Sequence, residues 1–216
     1  VKGRLLVVLD VDSTLTRDEG IDLLAAHVSP EVATEVSSIT AQAMRGELDF
    51  EESLLRRVAA LEGTPHEVVT RVAAQVALTD GARELVDALH LHSHLVGVVS
   101  GGFHDMIDPL VDDLGLDFAR ANRLEVKDST LTGRLVGPVI DAQAKADALR
   151  SWADESGIPL ERTVAVGDGG NDVVMLRDAG LGIAFMAKPV AREAADVSID
   201  TPDLREVLGL LGFGLS

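Results

Sequence analysis

A run of five apolar residues, Leu5-Leu6-Val7-Val8-Leu9, stops abruptly on Asp10. A continuous apolar run this short reads as a strand buried on both faces, as in a parallel sheet covered by helices. The device returns twice. Apolar residues 95–99 run into Ser100-Gly101-Gly102, and residues 163–166 run into Gly167-Asp168-Gly169-Gly170-Asn171-Asp172. From Asp80 onward such strands alternate with helical patterns over 81–92, 104–114, 142–155 and 172–179. Short strands near 181–184 and 197–199 and a helix over 203–211 follow. Residues 123–126 and 131–135 flank a polar turn and predict a β-hairpin. This alternation predicts an α/β fold with a Rossmann-like parallel-sheet core.

Four consecutive amphipathic patterns, over 19–28, 30–45, 50–61 and 65–76, break the rhythm after the first strand. Pro30 and Pro65 fall where first-turn prolines are tolerated, and Gly46 and Gly63 mark ends. They predict a small helical cap over residues 16–77, with 1–15 and 78–216 forming the α/β core. Aromatic residues are only 3% of the chain, so Val, Leu, Ile and Ala must build that core.

Charge narrows the partners. The formal net charge is −17, which repels nucleic acid and anionic membrane, so neither is an expected partner. It also repels phosphorylated molecules at long range, so any phosphate site must be locally positive. With no cysteine, disulfides, thiolate metal sites and Cys nucleophiles are excluded together. The first apolar run is shorter than a signal-peptide core, and no stretch approaches a membrane span. The expected location is the cytoplasm.

Sites in open parallel sheets form at the carboxyl ends of the strands. Three predicted strands end there in polar clusters, and Lys145 lies in the first turns of a helix that can face the same edge. Asp10, Asp12, Asp168 and Asp172 would crowd together. Two like charges about 4 Å apart repel by roughly 4 kcal/mol at an effective dielectric near 20. A hard divalent cation on oxygen ligands relieves this, and an ammonium suits phosphate as a point charge. Ser100-Gly101-Gly102, placed before a predicted helix, would offer backbone N–H groups to an anion at a helix N-terminus. Read alone, Asp12-Ser13-Thr14 also fits a helix cap, and Lys145 a solvated helix lysine. His90, His92 and His94 read as a surface helix terminus without function.

Taken in order, Asp10-Val11-Asp12-Ser13-Thr14, Ser100-Gly101-Gly102, Lys145 and Gly167 through Asp172 resemble the four motifs of the haloacid dehalogenase superfamily. The resemblance narrows to its phosphoserine phosphatases through Glu19-Gly20-Ile21-Asp22, residues 43–50, residues 53–58, Phe103 and Ala187-Lys188-Pro189. Gly170 departs from the family, which carries Ala there. The resemblance implies that Asp10 is the nucleophile and takes the phosphoryl group as an aspartyl phosphate. Asp12 would protonate the leaving seryl oxygen and then activate water. Mg²⁺ would be held by the Asp10 side chain, the Asp12 backbone carbonyl and Asp168, with Asp172 supporting its water shell. Ser100, Gly101, Lys145 and Asn171 would bind phosphate, with Thr14 and Gly102 in support. In the cap, Glu19 would answer the substrate ammonium and Arg57 its carboxylate, while Met44 and Phe50 line the pocket.

The expected reaction is hydrolysis of O-phospho-L-serine to L-serine and phosphate, the last step of serine biosynthesis. A relative acting on another small phosphomonoester, or a phospho-acceptor signalling domain, are the alternatives. Many relatives carry N-terminal regulatory domains, and regulation of that kind is not expected here.

Overall fold

The structure is a computed structural model that describes residues 3–213. Its centre is a parallel sheet of β1 (Leu6–Leu9), β2 (Leu95–Phe103), β3 (Phe118–Asn122), β6 (Thr163–Gly167), β7 (Leu181–Phe185) and β8 (Val197–Ile199). The strand order is β3-β2-β1-β6-β7-β8. The alternating side chains of β1 explain its apolar run. Leu5, Val7 and Leu9 enter one core layer under α5 (Ala82–Leu91), α6 (His104–Leu114) and α10 (Arg205–Leu210). Leu6 and Val8 enter the opposite layer under α7 (Ala142–Glu155), α8 (Val173–Asp178) and α9 (Pro189–Ala194). A polar residue in a strand covered on both faces needs a buried partner, so β1 stays apolar until it leaves the sheet. That exit is Asp10.

Register then places the site. Leu9 pairs with Val98 on one side and Val166 on the other, so β1, β2 and β6 reach the same edge together. The strand order reverses between β1 and β6, which opens the crevice where α/β sheets bind ligands.

Between β1 and β2 the chain forms α1 (Gly20–Val28), α2 (Pro30–Met44), α3 (Phe50–Ala59) and α4 (His66–Ala73). The starts follow from local chemistry. The Ser29 hydroxyl accepts from Val32 N–H and the Asp49 carboxylate from Glu52 N–H, each satisfying an otherwise free first-turn donor. The helices share an apolar cluster of their own, including Leu24, Val36, Leu54 and Val69, which also takes in Phe103 and Met106 from the sheet side. Where the chain leaves and rejoins the sheet, Thr16 and Leu78 form an antiparallel bridge. The hairpin of β4 (Leu124–Lys127) and β5 (Thr130–Leu135) packs against the same cluster. Among the described residues no helix is long and apolar enough to cross a membrane.

Three sequence expectations are corrected. β2, expected over 95–99, continues through Ser100-Gly101-Gly102 to Phe103, so these residues are extended strand, whereas α6 starts at His104 as expected. Gly101 makes room for the ring above it: a Cβ on Gly101 would lie 2.9 Å from Phe50 Cζ. β3 and α9 were not expected, because β3 is only partly buried and α9 is a six-residue helix, so neither carries a strong period. His94 is buried rather than a surface terminus, and its Nδ1 accepts from Leu5 N–H at 3.1 Å.

Candidate active site

Asp10 N–H donates to Val166 O at 2.9 Å, which locks the end of β1 onto β6. Residues 11–15 then form one wide turn, closed by Leu15 N–H to Asp10 O and Thr16 N–H to Val11 O. Ser13 adopts φ 59°, a left-handed conformation that is uncommon for a residue with a Cβ. It is held there in part by donating its hydroxyl to Glu19 Oε1 at 3.0 Å. The turn points Asp12 back toward the sheet. Asp12 Oδ1 accepts from Gly20 N–H at 2.7 Å, and Oδ2 accepts from the Ser100 hydroxyl at 3.3 Å. Thr14 is fully buried, and its hydroxyl has no partner among the described residues.

Lys145 sits in the first turn of α7, which Asp141 caps by accepting from Ala144 N–H. Its side chain is completely buried and its Nζ donates to Asp10 Oδ1 at 2.5 Å and Asp172 Oδ1 at 2.8 Å. The other Asp172 oxygen accepts from Asp168 and Gly169 N–H at 3.1 and 3.0 Å. Asp172 therefore ties the loop after β6 to Lys145. Gly167 makes room for it, since a Cβ there would meet Asp172 Cγ at 2.5 Å.

One oxygen each from Asp10, Asp168 and Asp172 lie within 4.8 Å of one another, and all three residues are buried. One buried ammonium faces three carboxylates, so negative charge is in excess. Its effect shows in their acidity. Burial, then Asp172, pushes the Asp10 carboxyl well above the usual range, against the pull of Lys145. Burial and Asp172 raise Asp168 to about 6, and burial and Glu19 raise Asp12 to about 6. Burial alone would lower the Lys145 pKa, but Asp10 and Asp172 outweigh it and the net shift is upward. A buried all-oxygen cluster with surplus negative charge fits a divalent metal.

This predicts a stability profile for the metal-free protein. The folded state holds the Asp168 proton up to about 6, whereas the unfolded chain releases it near 3.8. The associated stability is complete below about 3.8 and is lost as pH rises through about 6. Thermal melts in chelator at pH 4 to 7 should therefore show wild type losing stability relative to Asp168→Asn. The relative loss should be on the order of 3 kcal/mol. Excess divalent metal should restore the wild type and leave the variant unmoved. Parallel curves in chelator would contradict the assignment.

A cavity of about 520 Å³ opens over this cluster. Asp10, Asp12, Asp168, Gly101, Gly102 and Asn171 line its sheet end, and Glu19, Arg57, Met44 and Phe50 its helical end. Phe50 is half-buried over Gly101, whereas Met44 is exposed at the mouth. Arg57 Nε donates to Ser53 O at 3.3 Å, which helps aim the guanidinium. Burial lowers its pKa, partly offset by Asp22 and Glu19. Ser100 and Lys145, expected on phosphate, are buried beside the cavity, Ser100 donating to Asp12 and Lys145 to Asp10 and Asp172. Two further lining residues, Asp22 and Lys188, belong to segments that carry the family resemblance but were given no role from the sequence. Asp22 follows Glu19 by one helical turn, a spacing that could have revealed it.

A parallel sheet with clustered carboxylates and a buried lysine at its switch point defines a hydrolase-type α/β site with a divalent-metal cradle. The chain belongs to the haloacid dehalogenase-like hydrolase family, whose model matches residues 7–177. It is 54% identical over 211 residues to a phosphoserine phosphatase of Streptomyces coelicolor, covering 98% of this chain and 51% of that protein. The chain thus spans about half the length of that relative. It is 47% identical to a phosphoserine phosphatase of Streptococcus thermophilus, covering 98% of this chain and 96% of the other. Among solved structures it resembles a phospho-aspartyl intermediate analogue of phosphoserine phosphatase. The TM-score is 0.90 at 45% identity, over 97% of this chain and 99% of that one.

Proposed function

We infer that this chain hydrolyses O-phospho-L-serine to L-serine and phosphate with Mg²⁺, the last step of serine biosynthesis, in the cytoplasm. The observation that carries this is the polarity of one cavity. Asp10, Asp12 and the carboxylate cluster stand at one end, and Glu19 and Arg57 at the other. Phosphoserine has matching poles: a phosphate, and across a short stem an ammonium and a carboxylate. The relatives named above carry the same activity in their names. We further assign residues 16–77 as the cap that reads the amino-acid end, and 1–15 with 78–216 as the core that holds the phosphate.

Asp10 Oδ1 is held by Lys145, and among the described residues its Oδ2 accepts no hydrogen bond, so Oδ2 is the attacking oxygen. In the first step the Oδ2–P bond forms, the P–O bond to serine breaks, and Asp12 passes its proton to the departing seryl oxygen. A carboxyl with pKa about 6 is suited to giving and regaining a proton near neutral pH. In the second step water attacks phosphorus, Asp12 takes its proton, and the P–Oδ2 bond breaks to regenerate Asp10. Asp10, Asp168 and the Asp12 carbonyl would hold Mg²⁺, with Asp172 beside it. When bound, Mg²⁺ supplies positive charge to the transferring phosphoryl group. Ser100, Gly101, Lys145 and Asn171 would bind phosphate, with Ser100 and Lys145 also holding Asp12 and Asp10 in place. Phe50 and Met44 would exclude bulk water.

The test is phosphate release from a panel of small phosphomonoesters with Mg²⁺ and with chelator. Metal-dependent preference for phosphoserine is expected, and preference for another ester would discard the substrate. Arg57→Lys should raise KM for phosphoserine about tenfold or more, because a lysine cannot make the paired hydrogen bonds to a carboxylate. Turnover of phosphoethanolamine, which lacks that carboxylate, should be unaffected. Equal losses on both substrates would remove Arg57 from carboxylate recognition.

A further inference from the structure

The mechanism above leaves one cation on the cavity wall unused. Lys188 precedes α9, in the loop after β7. Met186, at φ 47°, turns that loop back toward β6, and Lys188 N–H donates to Asp168 O at 2.8 Å. The side chain crosses the Gly169 turn, with Nζ 3.9 Å from where a Cβ on that glycine would be. Nζ ends 3.8 Å from Asp168 Oδ2, and the side chain is 55% exposed.

Two lysines thus serve one carboxylate cluster in different ways. Lys145 is buried and commits two of its three N–H groups to short, charge-assisted hydrogen bonds with Asp10 and Asp172. Lys188 is too far from Asp168 for a hydrogen bond and keeps its water, so its pairing is weak and exchangeable. Charge supplies a reason for exchange. Three carboxylates and one buried ammonium leave two negative charges. A divalent cation cancels these, and a phosphate dianion then restores two. One more cation is needed at the cavity wall, and Lys188 lines it.

We propose that Lys188 is an exchangeable counter-ion. It neutralises Asp168 in the metal-free protein and transfers to a phosphate oxygen once a divalent cation takes Asp168. This rests on the phosphohydrolase reading and adds a phosphate-binding residue to it.

Calorimetric titrations of the intact chain test it, with Lys188→Met and Lys188→Arg beside wild type and circular dichroism to verify folding. Titrated with Mg²⁺ alone, Lys188→Met should bind about three- to fivefold more tightly than wild type, because a competing exposed cation is gone. Titrated with inorganic phosphate at saturating Mg²⁺, it should bind about tenfold more weakly or worse, having lost a charge-assisted contact. Lys188→Arg should stay near wild type in both. Unchanged phosphate affinity in Lys188→Met overturns the proposal, as does Mg²⁺ affinity that fails to tighten. Wild type that binds no phosphate at all would remove the phosphohydrolase reading together with it.

Discussion

Asp10→Asn is expected to lower phosphate release at least about 10⁴-fold while leaving the protein folded. The carboxamide has the same shape and can still accept from Lys145 through its oxygen. It cannot place a nucleophilic oxygen on phosphorus, because its second terminal atom is a weakly nucleophilic NH₂. The loss should fall on kcat, with binding of inorganic phosphate retained. Stability should move the other way. Burial and Asp172 make ionised Asp10 costly in the fold, so in chelator at pH 7 the variant should melt no lower than wild type. Steady-state phosphate release and paired thermal melts check both parts. Near-normal turnover would remove Asp10 as nucleophile, and a sharply lower melting temperature would mean that the residue is structural instead.

Lys145→Met tests the other half of the pair and should damage stability as well as rate. The substitution preserves an unbranched side chain in a site with no exposed surface but leaves Asp10 and Asp172 buried without their cation. Breaking a buried pair from one side costs about 3–5 kcal/mol, because the remaining charge keeps its full desolvation penalty. Chemical denaturation in chelator should register that loss at pH 7. Lowering the pH should recover part of it as the raised Asp10 carboxyl takes up a proton. Combining Lys145→Met with Asp10→Asn should recover part of it too, since the two residues touch and their effects cannot add. Additive losses in the double variant would show that Lys145 stabilises α7 without reference to Asp10.

Much of this site was legible before any coordinates. Asp10 and Asp168 each follow an apolar strand, and a strand buried on both faces announces its own end when polar residues begin; Ser100 also ends an apolar run, but β2 continues through it. Helices α2 and α7 were placed closely by their amphipathic period, helped for α2 by Pro30 at its start, and the structure adds the local caps Ser29 and Asp141. β3 and α9 were not legible, because a partly buried edge strand and a six-residue helix owe their shape to what packs against them. The role of Lys188 was not legible for a related reason. Ala187-Lys188-Pro189 marks the family resemblance, but the position of Lys188 beside Asp168 exists only because β6 and β7 are neighbours.

By itself the sequence determined the parallel-sheet core, the helical insertion after β1, the polar strand ends and the residues available for chemistry. These follow from hydrophobic period, capping and the cost of burying charge, all of which act within short stretches of chain. Only the tertiary structure decided which oxygen of Asp10 Lys145 occupies, that Ser100 donates to Asp12, and that Lys188 shares a cavity with Arg57. Such facts are distances between segments many residues apart. They are set by strand register and by packing of the four inserted helices over the sheet edge, which no local pattern encodes.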